Sequence, residues 1–243
     1  MERTHNNNNY TLITGATGGL GNAFVHEVIK STKNIIITST SFDKMDKLKK
    51  QILDIDNSIN IQTFKCNFLI KEDLEALIDF IQDNNFTIDT LINNAGFGKF
   101  GEFNDIKLDD ELDMIDVNIK AVHILTKLFL NDFVARNKGY ILNVASSAAF
   151  QPGPLMATYY STKAYVLHLT EAIYEELRKN NSNVGISVLC PGPVNTEFNK
   201  VAKVRFSLKS LESNDVAEYA IKKMFKKKLI ITPGFSIKCA TKM

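Results

Sequence analysis

From residue 10 onward the chain alternates short runs that are apolar at nearly every position with longer segments whose apolar residues return every three or four. This alternation restricts the fold more than any other feature. The short runs, 10–13, 35–37, 59–64, 90–92, 140–145, 185–189 and 229–231, read as strands. A strand with one wet face alternates apolar and polar residues, so strands without alternation belong to a parallel sheet covered on both sides. The intervening segments 22–30, 43–53, 74–82, 108–134, 156–178 and 215–225 read as helices, with stripes such as Leu77, Ile78 and Ile81 facing inward. Strand and helix in turn make an α/β fold, a doubly wound parallel sheet in three layers. No linker-like stretch or shift in composition breaks the pattern, so residues 1–243 are expected to form a single domain, with 1–9 flexible.

Composition narrows the partners. The 29 Lys and Arg nearly balance 27 Asp and Glu, which gives nucleic acid little to attract. No apolar run approaches the roughly 20 residues of a membrane span, so no membrane association is expected. Cys66, Cys190 and Cys239 are far apart and fit neither a disulfide framework nor a metal or redox pair, which suits a reducing, cytoplasmic setting. His5, His26, His123 and His168 lack ligand spacing, and no metal is expected. A small molecule is the expected partner.

Two short stretches carry chemistry. Thr14-Gly15-Ala16-Thr17-Gly18-Gly19-Leu20-Gly21 joins the first strand to the first helix. Its glycines let backbone N–H groups approach a pyrophosphate at the positive end of that helix. The spacing Gly-x-x-x-Gly-x-Gly departs from the usual Gly-x-Gly-x-x-Gly, and a merely tight turn is the bland alternative. Farther on, Tyr159 and Lys163 stand four residues apart on a helix, which puts a phenol and an ammonium on one face. A phenol titrates near pH ~10, and a neighbouring cation draws it toward neutrality. Reducing a ketone puts negative charge on its oxygen, so a site needs a proton donor and a hydrogen-bond donor aimed there. Tyr159 and Ser146 can supply them. Tyr160, which also lies near Lys163, and Ser147, beside Ser146, are alternatives that the helix and strand periods leave open.

Thr14-Gly15-x-x-x-Gly19-x-Gly21, Asn93-Asn94-Ala95-Gly96, Asn118, Asn143-Val144-Ala145-Ser146, Tyr159-x-x-x-Lys163 and Pro191-Gly192 together resemble the short-chain dehydrogenase/reductase family, in order and in spacing. The resemblance runs from Thr14 to Gly192 and is similar in detail to the bacterial branch of small carbonyl and acyl-chain reductases. It implies a Rossmann-type sheet of about seven strands, NAD(P)-dependent exchange of a hydride between cofactor and an alcohol/carbonyl pair, and a homo-oligomer, dimer or tetramer. It selects Ser146, 13 residues before Tyr159, over Ser147. It implies a catalytic set of Asn118, Ser146, Tyr159 and Lys163, in which Lys163 also holds the nicotinamide ribose and Asn118 keeps a relay water.

Cofactor contacts are expected from Gly15, Thr17, Gly18, Gly19, Leu20 and Gly21 in the first turn and from Asn94, Ala95 and Gly96 after the fourth strand. Tyr159, Lys163, Pro191, Gly192, Val194 and Thr196 complete the nicotinamide side. After the second strand Thr38-Ser39-Thr40-Ser41 carries neither the acid that suits NAD nor the base that suits NADP. Absence of an acid removes a repulsion, and Thr40 and Ser41 can receive a phosphate with Lys44 nearby, so NADP is favoured over NAD. Asn67 stands where relatives often carry Asp at the adenine. Phe97, Phe150, Met156 and Phe198 are expected to line an apolar substrate pocket, with 197–211 as a lid. The expected function is a carbonyl reductase. The alternatives are a 3-oxoacyl-thioester reductase and a non-catalytic dinucleotide-binding regulatory or scaffold protein.

Overall fold

The computed structural model describes residues 8–196 and 210–234. Seven parallel strands lie in the order β3-β2-β1-β4-β5-β6-β7. They are β1 (Asn9–Ile13), β2 (Asn34–Ser39), β3 (Asn60–Lys65), β4 (Thr87–Asn93), β5 (Tyr140–Val144), β6 (Gly185–Leu189) and β7 (Ile230–Ile231). The helices are α1 (Gly19–Val28), α2 (Phe42–Ile55), α3 (Lys71–Asp83), α4 (Leu108–Ile115), α5 (Val122–Ala135), α6 (Ala157–Lys179) and α7 (Ser213–Met224). Alternate strand residues feed two cores. Ile13, Ile35, Ile37, Ile92 and Leu142 pack with α1, α2 and α7. Leu12, Ile36, Leu91 and Ile141 pack with α3, α5 and α6. Burial on both faces is why these strands carry no polar alternation. The doubly wound Rossmann arrangement expected from the sequence is therefore present.

The long helix expected over 108–134 is not uniform. Between α4 and α5 the chain widens into a π turn, Asp116–Ala121, which holds Asn118. Wide turns of this kind cost regular hydrogen bonding and gather at functional sites. Periodicity cannot show it, because the apolar stripe continues on either side.

Two features of the frame matter later. At the amino edge, α3, α5, α6 and α7 end alike, each with one left-handed residue: Asn85, Asn137, Asn181 and Lys227. In each case the next N–H returns to the helix, Phe86 to Ile81, Lys138 to Phe133 and Ser182 to Leu177 at 3.0 Å, and Lys228 to Lys223 at 3.1 Å. Asparagine tolerates that conformation, whereas lysine pays a steric penalty there.

Nearer the carboxyl edge, the register partners Asn93 and Asn143 are joined below the sheet surface. Asn93 Nδ2 donates to Asn143 Oδ1 at 2.9 Å and to Thr126 at 3.1 Å, while Asn143 Nδ2 donates to Thr170 at 3.0 Å. All four side chains are buried. The knot ties β4 and β5 to α5 and α6, the four elements that lead into or carry Gly96, Ser146, Asn118 and the Tyr159/Lys163 pair.

Candidate active site

In an open α/β sheet the ligand crevice lies at the carboxyl edge where strand order reverses, which here is the junction of β1 and β4. Both loops leaving that junction carry expected site residues. Gly15 has φ +63°, and a Cβ on it would lie 2.8 Å from Ala95 Cα. On Gly19 a Cβ would meet Thr196 Cγ2 at 2.6 Å, and on Gly21 it would meet Gly15 O at 2.1 Å. Gly18 has room, with its nearest neighbour at 3.5 Å. Helix α1 starts at Gly19 with no side-chain cap and no acid in its first turn, so its first N–H groups are available to an anion.

The Asn94 side chain is engaged within the protein. Its Nδ2 donates to the carbonyls of Thr14 and Gly15, both at 3.0 Å. In return Thr14 Oγ1 accepts the N–H groups of Asn94 and Ala95, both at 3.0 Å. The Asn94 side chain braces the glycine turn, and Thr14 shares that role. Gly96 leaves a notch: a Cβ there would lie 2.9 Å from Asn118 Oδ1 and 3.3 Å from Lys163 Nζ.

Asn118 is fully buried at the π turn. It clamps Phe97 by accepting the Phe97 N–H at 3.0 Å and donating to the Phe97 carbonyl at 2.9 Å. Its second amide hydrogen goes to Thr162 Oγ1 at 3.1 Å, and Thr162 donates to the Tyr159 carbonyl at 2.7 Å. Both amide hydrogens of Asn118 thus hold protein. Thr162, unremarked in the sequence, links Asn118 to the tyrosine helix.

Tyr159 and Lys163 share a buried face of α6. Lys163 Nζ donates to the Val144 carbonyl at 3.0 Å and lies 5.8 Å from the centroid of the Tyr159 ring. The phenol is hydrogen-bonded to Ser146. Ser147 instead sends its backbone N–H to Pro191 O at 2.7 Å. The Tyr160 ring packs on Gly153, where a Cβ would lie 2.5 Å from it. Ser146 and Tyr159 are therefore the pair brought together.

The electrostatics run against expectation. Burial pushes the Tyr159 phenol up to about 12, with the Ser146 hydrogen bond opposing and Tyr160 adding to the rise. Burial also pulls Lys163 down to about 8, partly opposed by Cys190. Desolvation penalises the charged form of each group and is the largest cause of both shifts. The ammonium lies beside the ring and bonds to Val144 O, so it does not convert the phenol to phenolate. The chain alone holds Tyr159 as a neutral proton donor.

Between the glycine turn and the end of β2, the Thr17 and Ser39 hydroxyls meet at 2.5 Å, a link not foreseen for Ser39. Thr40 is exposed, while Ser41 accepts the Lys44 N–H at 3.4 Å and caps α2. Asn67 accepts the Leu69 N–H at 3.2 Å and gives its own N–H to Asp73 at 2.8 Å. After β6, Val194 forms a bridge with Leu211 and Thr196 packs on Gly19. Pro191 and Gly192 lie between these contacts and the Ser146 segment.

Of the residues expected around the substrate, Phe97 and Met156 pack in one cluster with Met114, Ala148, Tyr159 and Tyr160. Phe150 sits apart, against Val122, Ala145, Val166, Leu167 and Cys190. Its strand-end position did not reveal that the short turn Ser147–Phe150 swings it toward that cluster. Phe198 and most of the 197–211 lid fall outside the described residues. The loop before α6 contains a tight turn: Met156 N–H bonds to Gly153 O at 3.1 Å, across Pro154 and Leu155. Leu155 has φ +66°, so this is a type II turn with leucine where glycine belongs. A side chain there costs about 1–2 kcal/mol. The Leu155 carbonyl accepts the Gly101 N–H at 2.9 Å and joins the two loops.

Comparison with known proteins agrees with this architecture. The model of the short chain dehydrogenase family matches residues 9–204. The chain is 33% identical over 211 residues to the very-long-chain 3-oxoacyl-CoA reductase let-767 of Caenorhabditis elegans, covering 81% of this chain and 63% of that protein. It is 30% identical over 223 residues to the chloroplastic chlorophyll(ide) b reductase NOL of Oryza sativa subsp. japonica, covering 86% and 64%. The chain thus spans less than two thirds of the length of these relatives. A short-chain dehydrogenase from Sphingobium yanoikuyae, solved with NADPH, superposes with a TM-score of 0.86 at 23% identity, covering 95% of this chain and 90% of that one. This chain belongs to the short-chain dehydrogenase/reductase family of oxidoreductase enzymes.

Proposed function

We propose that the chain is an NAD(P)-dependent carbonyl reductase. The observation that carries this reading is the buried Tyr159 phenol hydrogen-bonded to the half-buried Ser146, with buried Lys163 on the same helix at the Gly96 notch. The glycine turn fits a dinucleotide, because its close approaches exclude side chains and the start of α1 is uncapped. Backbone N–H groups of Gly19 and Leu20, at the start of α1, would hold the pyrophosphate, with Thr17 and Gly18 nearby. Ala95 and Gly96 line the path to the nicotinamide, and Lys163 takes the ribose hydroxyls. Pro191, Gly192, Val194 and Thr196 bound the ring. Thr40, Ser41 and Asn67 serve the adenosine end, with NADP preferred because Thr40 and Ser41, the two residues directly after β2, are neutral and Lys44 is near, Asp43 offsetting part of that charge. When bound, the reduced nicotinamide supplies a hydride to the carbonyl carbon. Ser146 donates a hydrogen bond to the carbonyl oxygen, and the Tyr159 hydroxyl gives it the proton, so the alkoxide never stands free. The phenolate left behind regains a proton from solvent by way of Lys163.

Two tests separate the parts of this reading. A fluorescence titration should show NADPH binding more tightly than NADH, and equal or reversed affinity would overturn the cofactor preference. A panel of ketones, aldehydes and 3-oxoacyl thioesters should oxidise the bound NADPH. Binding without turnover on every member would favour a non-catalytic dinucleotide-binding protein. The similarity to a very-long-chain 3-oxoacyl-CoA reductase favours an oxoacyl thioester as the second substrate reading. No helix among the described residues is long and apolar enough to cross a membrane, and Cys66 and Cys190 are free and buried. A cytoplasmic location suits both facts. Exposed Leu108, Leu112 and Ile115 on α4 suit a homo-oligomer, which sizing in solution tests.

A further inference from the structure

Leu155 occupies the glycine position of a type II turn and keeps its side chain 41% exposed. The turn does not explain a leucine there, since glycine would relieve the backbone. Its surroundings supply a reason. The bond between Gly101 N–H and Leu155 O lays the 97–103 loop against the 151–156 loop. Each loop carries an inner and an outer apolar residue. The inner two, Phe97 and Met156, pack in the cluster that holds Tyr159. The outer two, Phe100 and Leu155, stand where the loops are bonded and are 44% and 41% exposed. Lys99, between the two phenylalanines, is paired with Asp110 at 2.9 Å, so its charge is answered on α4. The loops therefore carry two exposed apolar side chains in the same segments whose inner residues pack with Tyr159.

We infer that Leu155 is a specificity-determining residue that grips the distal hydrocarbon of a carbonyl substrate, so that the site selects long or bulky apolar ketones over short ones. This rests on the carbonyl reductase reading and names its substrate class. Strain kept at a ligand site rather than removed is the pattern expected when the side chain itself is needed.

The test compares the wild-type protein with Leu155→Gly and Leu155→Met, using a series of straight-chain methyl ketones with NADPH. Leu155→Gly should melt about 2–4 °C higher because the turn is relieved. Its kcat/KM should fall about tenfold more for the longest ketone than for the shortest, mainly through KM, as expected when apolar contact is lost. Leu155→Met keeps the hydrocarbon and should keep the preference. An unchanged preference in Leu155→Gly, with turnover intact, would overturn the inference and leave the reductase reading standing. Binding of the longest ketone is measured in parallel by displacement of a fluorescent apolar dye. Weaker binding to Leu155→Gly without turnover in any protein would overturn the reductase reading and keep the role of Leu155 as an apolar grip. No binding and no turnover would overturn both.

Discussion

The two edges of the sheet follow different rules. At the amino edge, three helices close on a left-handed asparagine with the same returning hydrogen bond, as local chain physics prefers. At the carboxyl edge, local preferences are broken repeatedly. There a helix widens at Asn118, a leucine sits in a glycine conformation, and an amine and a phenol are buried together. The difference shows where stability is given up to place chemical groups. Lys227 is the exception at the quiet edge, a left-handed residue without the usual side chain.

The largest effect that can break this contrast is in turnover. Tyr159→Phe should lower the rate of ketone reduction by about a thousandfold or more, while NADPH affinity changes little. Retained turnover would remove Tyr159 as the acid. Next comes the glycine turn. Gly21→Ala places a Cβ 2.1 Å from Gly15 O and should cost more than about 3 kcal/mol in urea unfolding. Gly18→Ala, with 3.5 Å of clearance, should stay within about 1 kcal/mol. Equal losses would mean that the turn is not shaped by close approach.

A smaller effect depends on pH. Lys163 is held at about 8 in the folded chain, below the ordinary lysine value of 10.5, so the unfolded chain binds more protons between these values. Stability associated with this group therefore rises from about pH 8 to 10.5 and is lost as pH falls through 8. Lys163→Met should be more stable than the wild type at pH 7 by about 1–3 kcal/mol, and the gap should shrink as pH approaches 10. Tyr159 has the opposite sign. Raised to about 12 from 10, it adds stability below pH 10 that is lost as pH rises through 12. Phenolate absorbance should show one fewer tyrosine ionising near pH 10 in the wild type than its tyrosine count demands, with no such deficit in Tyr159→Phe.

The smallest effect sharpens the quiet edge. Lys227→Asn or Lys227→Gly should add about 0.5–1 kcal/mol without altering turnover. A loss of stability would show that the Lys227 side chain contributes more than its backbone costs.

Much of the frame was legible because burial on both faces writes itself as uninterrupted apolar runs, from Ile35-Ile36-Ile37 to Leu142 in β5. The glycine turn was legible for a related reason, since close approach leaves only one residue type. What escaped depends on contacts distant in sequence. The brace from Asn94 to Thr14 joins residues 80 apart, and no local pattern announces it. The direction of the Tyr159 shift also escaped, because spacing reports a neighbouring cation but not how much water both groups lose. The π turn and the position of Phe150 failed for want of any periodic signature.

The knot of Asn93, Thr126, Asn143 and Thr170 has a consequence for how this sequence can change. Asn143 accepts from Asn93 and Thr126 and donates to Thr170, so an aliphatic residue in place of Asn143 leaves the buried Thr126 hydroxyl without its acceptor, and one in place of Thr170 strands the Asn143 amide, each at a cost of about 1–3 kcal/mol. An all-aliphatic version would be comfortable, but the routes toward it pass through weaker proteins. Drift is thereby slowed at a place where both strand ends and both helices behind the proposed reacting groups are fastened, and the spacing of those groups is inherited along with four buried side chains.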